Sequence, residues 1–259
     1  MEKDSIQDKS LTREQLEKYA IDLSKIYDDE KAKRRELASV YEQLGNYAED
    51  LNKNLRALKI SHQELQKAYL DTIRRLVLAA EYKDEDTGDH ITRMSKYCGL
   101  IAEKLGLADE YVERIHYAAP MHDVGKIGIP DHILMKPGKL TDEEFNIIKT
   151  HPTIGAKILS GSKAEILNLS EAIARTHHEK WNGTGYPRGL SKTDIPIAGR
   201  IVGICDVFDA LTSKRPYKEP FPVDKAVDII MKERGAHFDP EIVDIFMKNM
   251  AEILKIKNG

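Results

Sequence analysis

From Leu16 to Leu65 the chain places leucine on a strict seven-residue grid, at positions 16, 23, 37, 44, 51, 58 and 65, interrupted only by Glu30. Charged and polar residues fill most of the space between, and no proline occurs before Pro120. A repeat of seven keeps one apolar seam along an under-wound helix, the pattern of a coiled coil. Tyr19, Ile26, Val40 and Tyr47 flank the seam on one side early, whereas Leu55, Tyr69 and Leu76 flank it on the other side later, so the leucines fit either the a or the d position. Gly45-Asn46 offers a turn that would fold a helical hairpin. The grid nevertheless passes from Leu44 to Leu51 without a phase shift, and one glycine costs a helix only about 1 kcal/mol. One continuous helix is expected, rising about 1.5 Å per residue and so outrunning any globular face of the same chain. Its seam therefore calls for a second copy, as a parallel homodimer through residues 11–76.

Beyond about residue 70 the pattern becomes that of a compact helical domain. Thr87-Gly88-Asp89 precedes an apolar-periodic stretch from Ile91 to Leu105 that Gly106 closes, and Asp109 is placed to cap a helix reaching His122. Further helices are expected over 141–159, 164–180, 196–213, 223–234 and 239–254, with loops at Pro130, at Pro137-Gly138 and in the glycine-rich segment 182–189. No alternating strand pattern recurs. The expectation is an all-α chain in two parts, a long coiled-coil signalling helix over 1–70 and a helical bundle domain over 71–259.

At 259 residues and 29.4 kDa the chain is long enough for one good-sized core plus an appendage. A net charge of −3 and a pI near 6.3 argue against a general binder of nucleic-acid polymers, while leaving room for a local phosphate pocket. Cys98 and Cys205 lie far apart in sequence without CxxC spacing, so neither a disulfide framework nor a thiolate zinc site is indicated, and a reducing cytoplasm fits. The opening MEKDSIQDKS lacks an apolar leader core, and no apolar run is long enough to span a bilayer. A cytoplasmic protein without a membrane partner is expected.

The candidate chemistry lies in an ordered set: His90, His122-Asp123, His151, His177-His178 and Asp206. Any single member is weak evidence; together they form a mixed imidazole and carboxylate set suited to Fe, Mn, Zn or Ni, and a carboxylate can bridge two such ions. Asp123, near a helix end and with two oxygens, is the natural bridge. For His177-His178 the alternative is that consecutive helical residues diverge by about 100°, leaving one in solvent. Lys126 lies three residues beyond Asp123, on the same face if the helix continues, where it would reach a phosphate oxygen or help a departing alkoxide; the alternative is a solvated lysine. Arg215 and Lys218 offer a guanidinium fork and an ammonium to phosphates, or simply charge a helix terminus. In the loop Trp181 to Pro187, Tyr186 is placed to stack on or hydrogen-bond a substrate, or to brace the loop, and Trp181 reads as a packing anchor.

The runs AAPMHDVGKIGIPD from Ala118, KPGKL from Lys136, THPTIGAKIL from Thr150, HHEKWNGTGYPRGL from His177 and DVFDALTSKRPYK from Asp206 resemble, in order, the HD-GYP family of bacterial phosphodiesterases. Gly185-Tyr186-Pro187 is the tripeptide of the family name, and the resemblance covers roughly residues 70–255. It implies an HD-type helical bundle that hydrolyses cyclic di-GMP to pGpG or GMP by in-line attack of a metal-bridging hydroxide. Two alternatives stand beside it: hydrolysis of another cyclic dinucleotide such as cyclic GMP-AMP, and a non-catalytic cyclic-dinucleotide receptor signalling through the coiled coil. The complete ligand series favours the enzyme.

The resemblance assigns His90, His122, Asp123 and Asp206 to one metal, and His151, His177 and His178 together with Asp123 to the next. It implies two or three divalent ions, Fe or Mn first, with Zn or Ni as alternatives, and a GYP loop that shapes the pocket and a surface for signalling partners. Some members carry Glu four residues before the first ligand histidine, within RDxETGxH, and add a third metal. This chain reads KDEDTGDH, with the shorter Asp86 at that position. Asp86 is thus a third-metal ligand or a carboxylate capping the helix start, with Asp84 and Glu85 similarly poised.

Overall fold

A computed structural model of the chain describes residues 12–84, 88–214 and 219–259, all but the side chain of Asp84. Helix α1 (Arg13–Glu81) runs through Gly45-Asn46 as a single element, so the hairpin is not formed. Surface pairs one turn apart, such as Arg34 with Glu30 at 2.7 Å and Lys53 with Glu49 at 3.0 Å, support it from its polar sides. Every leucine of the seven-residue grid is more than half exposed. The chain divides into two compact units after Lys67. Among the described residues no helix is long and apolar enough to cross a membrane.

In the second unit the last turns of α1 bury Val77, Ala80 and Glu81. There follow α2 (Gly88–Lys104), α3 (Asp109–Ala118), α4 (Asp131–Leu134), α5 (Asp142–Ile148), α6 (His151–Leu159) and α7 (Glu165–Thr176). The chain continues through α8 (Ile197–Thr212), α9 (Val223–Lys232), α10 (Pro240–Lys248) and α11 (Met250–Asn258). Helix α8 is apolar nearly all round, which makes it the central element rather than a surface one. Its Ile201, Ile204 and Phe208 are fully buried against Tyr97 and Ile101 of α2, Ile173 of α7, Ile230 of α9 and Phe246 of α10. A smaller cluster joins Val77, Ile91, Met121, Leu159 and Ala174. No strand occurs among the described residues, and the fold is the expected all-α one.

Several expected helices are shorter than their apolar periods. The helix expected over 109–122 ends at Ala118 and continues as a 3-10 turn, Ala119–Met121, around Pro120, which has no N–H to continue the ladder. Asp109 is its first residue rather than its cap; Ala108 holds that position without a side-chain bond. The stretch 141–159 is two helices. Thr141 and Glu144 form a reciprocal capping box at the start of α5, and Pro152 in the first turn of α6 forces a new start there. Likewise 239–254 breaks at Asn249, whose side chain donates to the carbonyl of Ile245 at 2.7 Å. Helix α7 stops at Thr176, before the expected 180.

Candidate metal centre

Of the described candidate ligands all but Asp206, which lies inside α8, sit at or near a helix end, and this decides how three of the histidines are held. His122 follows the Ala119–Met121 turn, His151 opens α6 directly behind α5, and His177 follows α7. The last carbonyls of a helix have no partner within it. The His151 and His177 rings supply one: His151 Nδ1 donates to Ile148 O at 2.7 Å and His177 Nδ1 to Ala174 O at 3.1 Å, while His122 Nδ1 donates at 2.9 Å to Ala119 O, which also accepts the His122 backbone N–H. With Nδ1 donating, Nε2 is the nitrogen that faces the site, and it binds metal once it carries no proton.

Those nitrogens converge. Asp123, His151, His177 and His178 form one cluster, and His90, His122 and Asp206 a second, with the ligand atoms of each within 4.8 Å of one another. Asp123 faces both. Its Oδ1 lies 3.1 Å from His151 Nε2 and 3.4 Å from His177 Nε2, and its Oδ2 lies 3.4 Å from His122 Nε2. His122 Nε2 is also 3.8 Å from Asp206 Oδ1. His177 and His178 both turn inward, with ring centroids 4.0 Å apart, so neither is given up to solvent.

Although these approaches are short, His122 Nε2 and Asp123 Oδ1 are buried without a hydrogen-bond partner, because the angles are not those of hydrogen bonds. A buried polar atom left so costs about 1–3 kcal/mol, unless a cation takes its lone pair. With the mixed histidine and aspartate donor set, this fits divalent metal binding.

The charges agree. Burial works against the charged form of Asp123, yet the Lys126 ammonium and the His122 ring hold its carboxyl well below the usual range. Burial likewise opposes protonation of His122, but the carboxylates of Asp123 and Asp206 outweigh it and raise the ring to about 10. At His178, burial and the neighbouring His177 push the ring well below its ordinary value, keeping it neutral. Lys126 Nζ meets Asp123 Oδ2 at 2.8 Å, and the link is local: Val124–Gly128 is a 3-10 turn, in which residues three apart stand one above the other.

The GYP loop closes onto the end of α7. Glu179, 5% exposed, accepts from the backbone N–H of Arg188 at 2.8 Å and of Leu190 at 2.9 Å. Tyr186 N donates to His178 O at 3.2 Å, and Gly183 N to Lys180 O at 2.8 Å. The Tyr186 ring packs on the His178 ring with centroids 4.7 Å apart, and the Tyr186-Pro187 bond is cis. At Gly185 a Cβ would overlap the backbone of Glu179 and Lys180, so only glycine lets the loop come this close. Trp181 packs as an anchor, with the Arg200 guanidinium 5.8 Å from its ring centre.

Three groups at the site escaped sequence reasoning. Asp209 accepts from His90 Nδ1 at 2.7 Å, and Arg93 donates to Asp209 through Nε at 2.6 Å and Nη2 at 2.9 Å. The signal was spacing, since each lies three residues beyond a candidate ligand, His90 or Asp206. Glu81, the last residue of α1, is buried beside the ligands; burial and then Asp123 raise its carboxyl above the ordinary value. A lone glutamate closing the apolar run LVLAAE was its only mark. Asp86, Arg215 and Lys218 lie outside the described residues, and with them the third-metal and phosphate-contact expectations.

Residues 77–242 match the HD domain family, and the chain belongs to that family. Within it, the chain is similar to the cyclic di-GMP phosphodiesterase of Thermotoga maritima, 47% identical over 193 residues that make up 74% of this chain and 52% of that protein. It is also similar to the 3'3'-cGAMP-specific phosphodiesterase 2 of Vibrio cholerae, 41% identical over 75% of this chain and 37% of that protein. The chain thus spans about half the length, or less, of these relatives. Its fold is similar to the crystal structure of a cyclic GMP-AMP specific phosphodiesterase from V. cholerae, with a TM-score of 0.55, 18% identity, and coverage of 71% of this chain and 50% of that one.

Proposed function

We propose that residues 71–259 form a metal-dependent phosphodiesterase domain that hydrolyses cyclic di-GMP to pGpG or GMP in the cytoplasm. The observation that carries this reading is the position of Asp123, with one oxygen turned to each ligand cluster. In this reading His90, His122 and Asp206 hold one cation and His151, His177 and His178 the other, with Asp123 shared between them. The donor set suits iron, manganese, zinc or nickel, and the family resemblance puts iron or manganese first; Asp86 is the candidate for a third ion. When bound, the cations supply Lewis acidity and an activated water for in-line displacement at phosphorus.

The chain's own groups do the rest. Lys126 holds Asp123 in its charged form and offers an N–H to a phosphate oxygen. The half-buried Tyr186 packs beside His178 and would offer a hydroxyl and the outer face of its ring to the substrate. Arg215 and Lys218 are proposed as further phosphate contacts, and the GYP loop as a surface for signalling proteins. Hydrolysis of cyclic GMP-AMP is the second reading, favoured by the similarity to the Vibrio protein.

The test is product chromatography with manganese- or iron-loaded protein and each cyclic dinucleotide in turn. Cyclic di-GMP is expected to be consumed first, and Asp123→Ala to lower turnover by at least about a hundredfold, the upper range for losing even a residue that only supports a ligand. Full activity in Asp123→Ala, or after chelation, would refute the two-cation mechanism.

We also propose that residues 1–70 act as a signalling helix and that residues 11–76 pair two copies in parallel. The exposed leucine grid supports this: none of the described residues of the first unit covers it.

A further inference from the structure

His90 is held differently from His122, His151 and His177. It is the third residue of α2, at a helix start, where the orphan groups are N–H donors and no carbonyl is available to its ring. An acceptor must come from another element, and Asp209 of α8 provides it at 2.7 Å. Helix α2 thus carries His90 and, three residues on, Arg93; helix α8 carries Asp206 and, three residues on, Asp209. Residues three apart share a helix face, so the two helices meet with a ligand and a supporting group each.

We propose that Asp209, gripped by Arg93, is the positioning residue of the cation site formed by His90, His122 and Asp206, and that Ser213 steadies the grip. This rests on the metal-centre reading above. Asp209 is 1% exposed, and its two oxygens receive the His90 ring and both donors of the Arg93 fork. The same Arg93 Nη2 reaches Ser213 Oγ at 3.0 Å, just past the end of α8.

In this geometry the His90 ring is fixed with Nε2 toward His122 and Asp206, and its basicity is raised by the carboxylate behind it. The fork also occupies Asp209, which would otherwise compete with Asp206 as a ligand from the same face of α8. Burial opposes the charge on Asp209, but the bonds from Arg93 and His90 outweigh it and hold its carboxyl below the ordinary value, so it stays ionised.

A purely structural tie between α2 and α8 would predict something else: loss of stability without any preference between the two cation sites. The experiment is calorimetric titration of Mn(II) into the full chain stripped of metal, with thermal melting of the metal-free protein alongside. Wild type, Asp209→Asn, Arg93→Lys and Ser213→Ala are compared, each also in a His178→Ala background that disables the other cluster. Asp209→Asn is expected to weaken one site by about 10–100-fold and to leave the other near its wild-type affinity. In the His178→Ala background the same change should remove the remaining uptake at concentrations that saturate His178→Ala alone. Arg93→Lys, which cannot form the fork, and Ser213→Ala should weaken the same site in smaller steps, and they decide the matter if Asp209→Asn does not fold.

Wild-type Mn(II) affinity at both sites in Asp209→Asn, or in Arg93→Lys and Ser213→Ala where Asp209→Asn is unfolded, overturns the inference. Parallel weakening of both sites with a lowered melting temperature does so as well. Absence of Mn(II) binding in wild type overturns the metal-centre reading itself, and this inference with it.

Discussion

At His122 two carboxylates draw a proton onto a ring from which burial would expel it, and the outcome is a value raised to about 10. In the metal-free protein at pH 7 this ring is therefore expected to hold a proton on Nε2, the nitrogen turned to the two carboxylates. A cation must displace that proton, so binding should release about one proton per chain and tighten as pH rises toward the raised value. Calorimetry in buffers of different ionisation heat measures the release; no buffer dependence would show that His122 is already neutral. Tyr186 makes a separate expectation. Its ring, not its hydroxyl, packs on His178, so Tyr186→Phe should keep the metal affinity of that cluster while Tyr186→Ala weakens it. If Tyr186→Phe instead raises KM alone, the hydroxyl is a substrate contact. The ligands themselves were legible as residue types in order, but Asp209 and Arg93 were not, because a three-residue spacing from a candidate ligand does not by itself say what a helical aspartate or arginine faces.

Among elements, the contact that matters most for the site joins the 3-10 turn after Asp123 to the start of α6. A Cβ at Gly125 would overlap the carbonyl oxygen of His151 and the backbone nitrogen of Gly155. The turn can therefore press Asp123 against His151 only while residue 125 has no side chain. Gly125→Ala should push the two elements apart, at a cost of about 1–3 kcal/mol for overpacking, and impair the cluster of Asp123, His151, His177 and His178 more than the other one. Denaturant unfolding and metal stoichiometry, read together, test this; an unchanged stoichiometry would mean that the turn yields elsewhere. Most helices were legible from their apolar period, and their ends were not. Period alone runs across Pro152 and Asn249, since a break needs only one residue to leave helical geometry while the apolar face resumes in phase on the other side. The early end of α7 had a similar cause: His177 and His178 fit a helical pattern, and only the structure places them beyond its last turn.

For the whole molecule, the seven-residue grid makes the sharpest expectation. Light scattering at micromolar concentration should give twice the chain mass, and Leu44→Lys with Leu51→Lys should give a monomer, because charges on the seam cannot be buried unpaired. A monomeric wild type would remove the dimer, and cross-linking in antiparallel register would remove the parallel arrangement. The continuity of α1 was legible because the grid kept its phase through Gly45. The two halves of the metal centre are also unequally open to change over generations. His122, His151 and His177 are anchored by backbone carbonyls at the ends of helical turns, and no codon elsewhere encodes that anchor. Mutation can release those rings only by replacing them or by rebuilding a helix terminus. His90 depends on another side chain, so a lineage can retune one half of the centre by a single change at position 209 while the other half keeps its inherited setting.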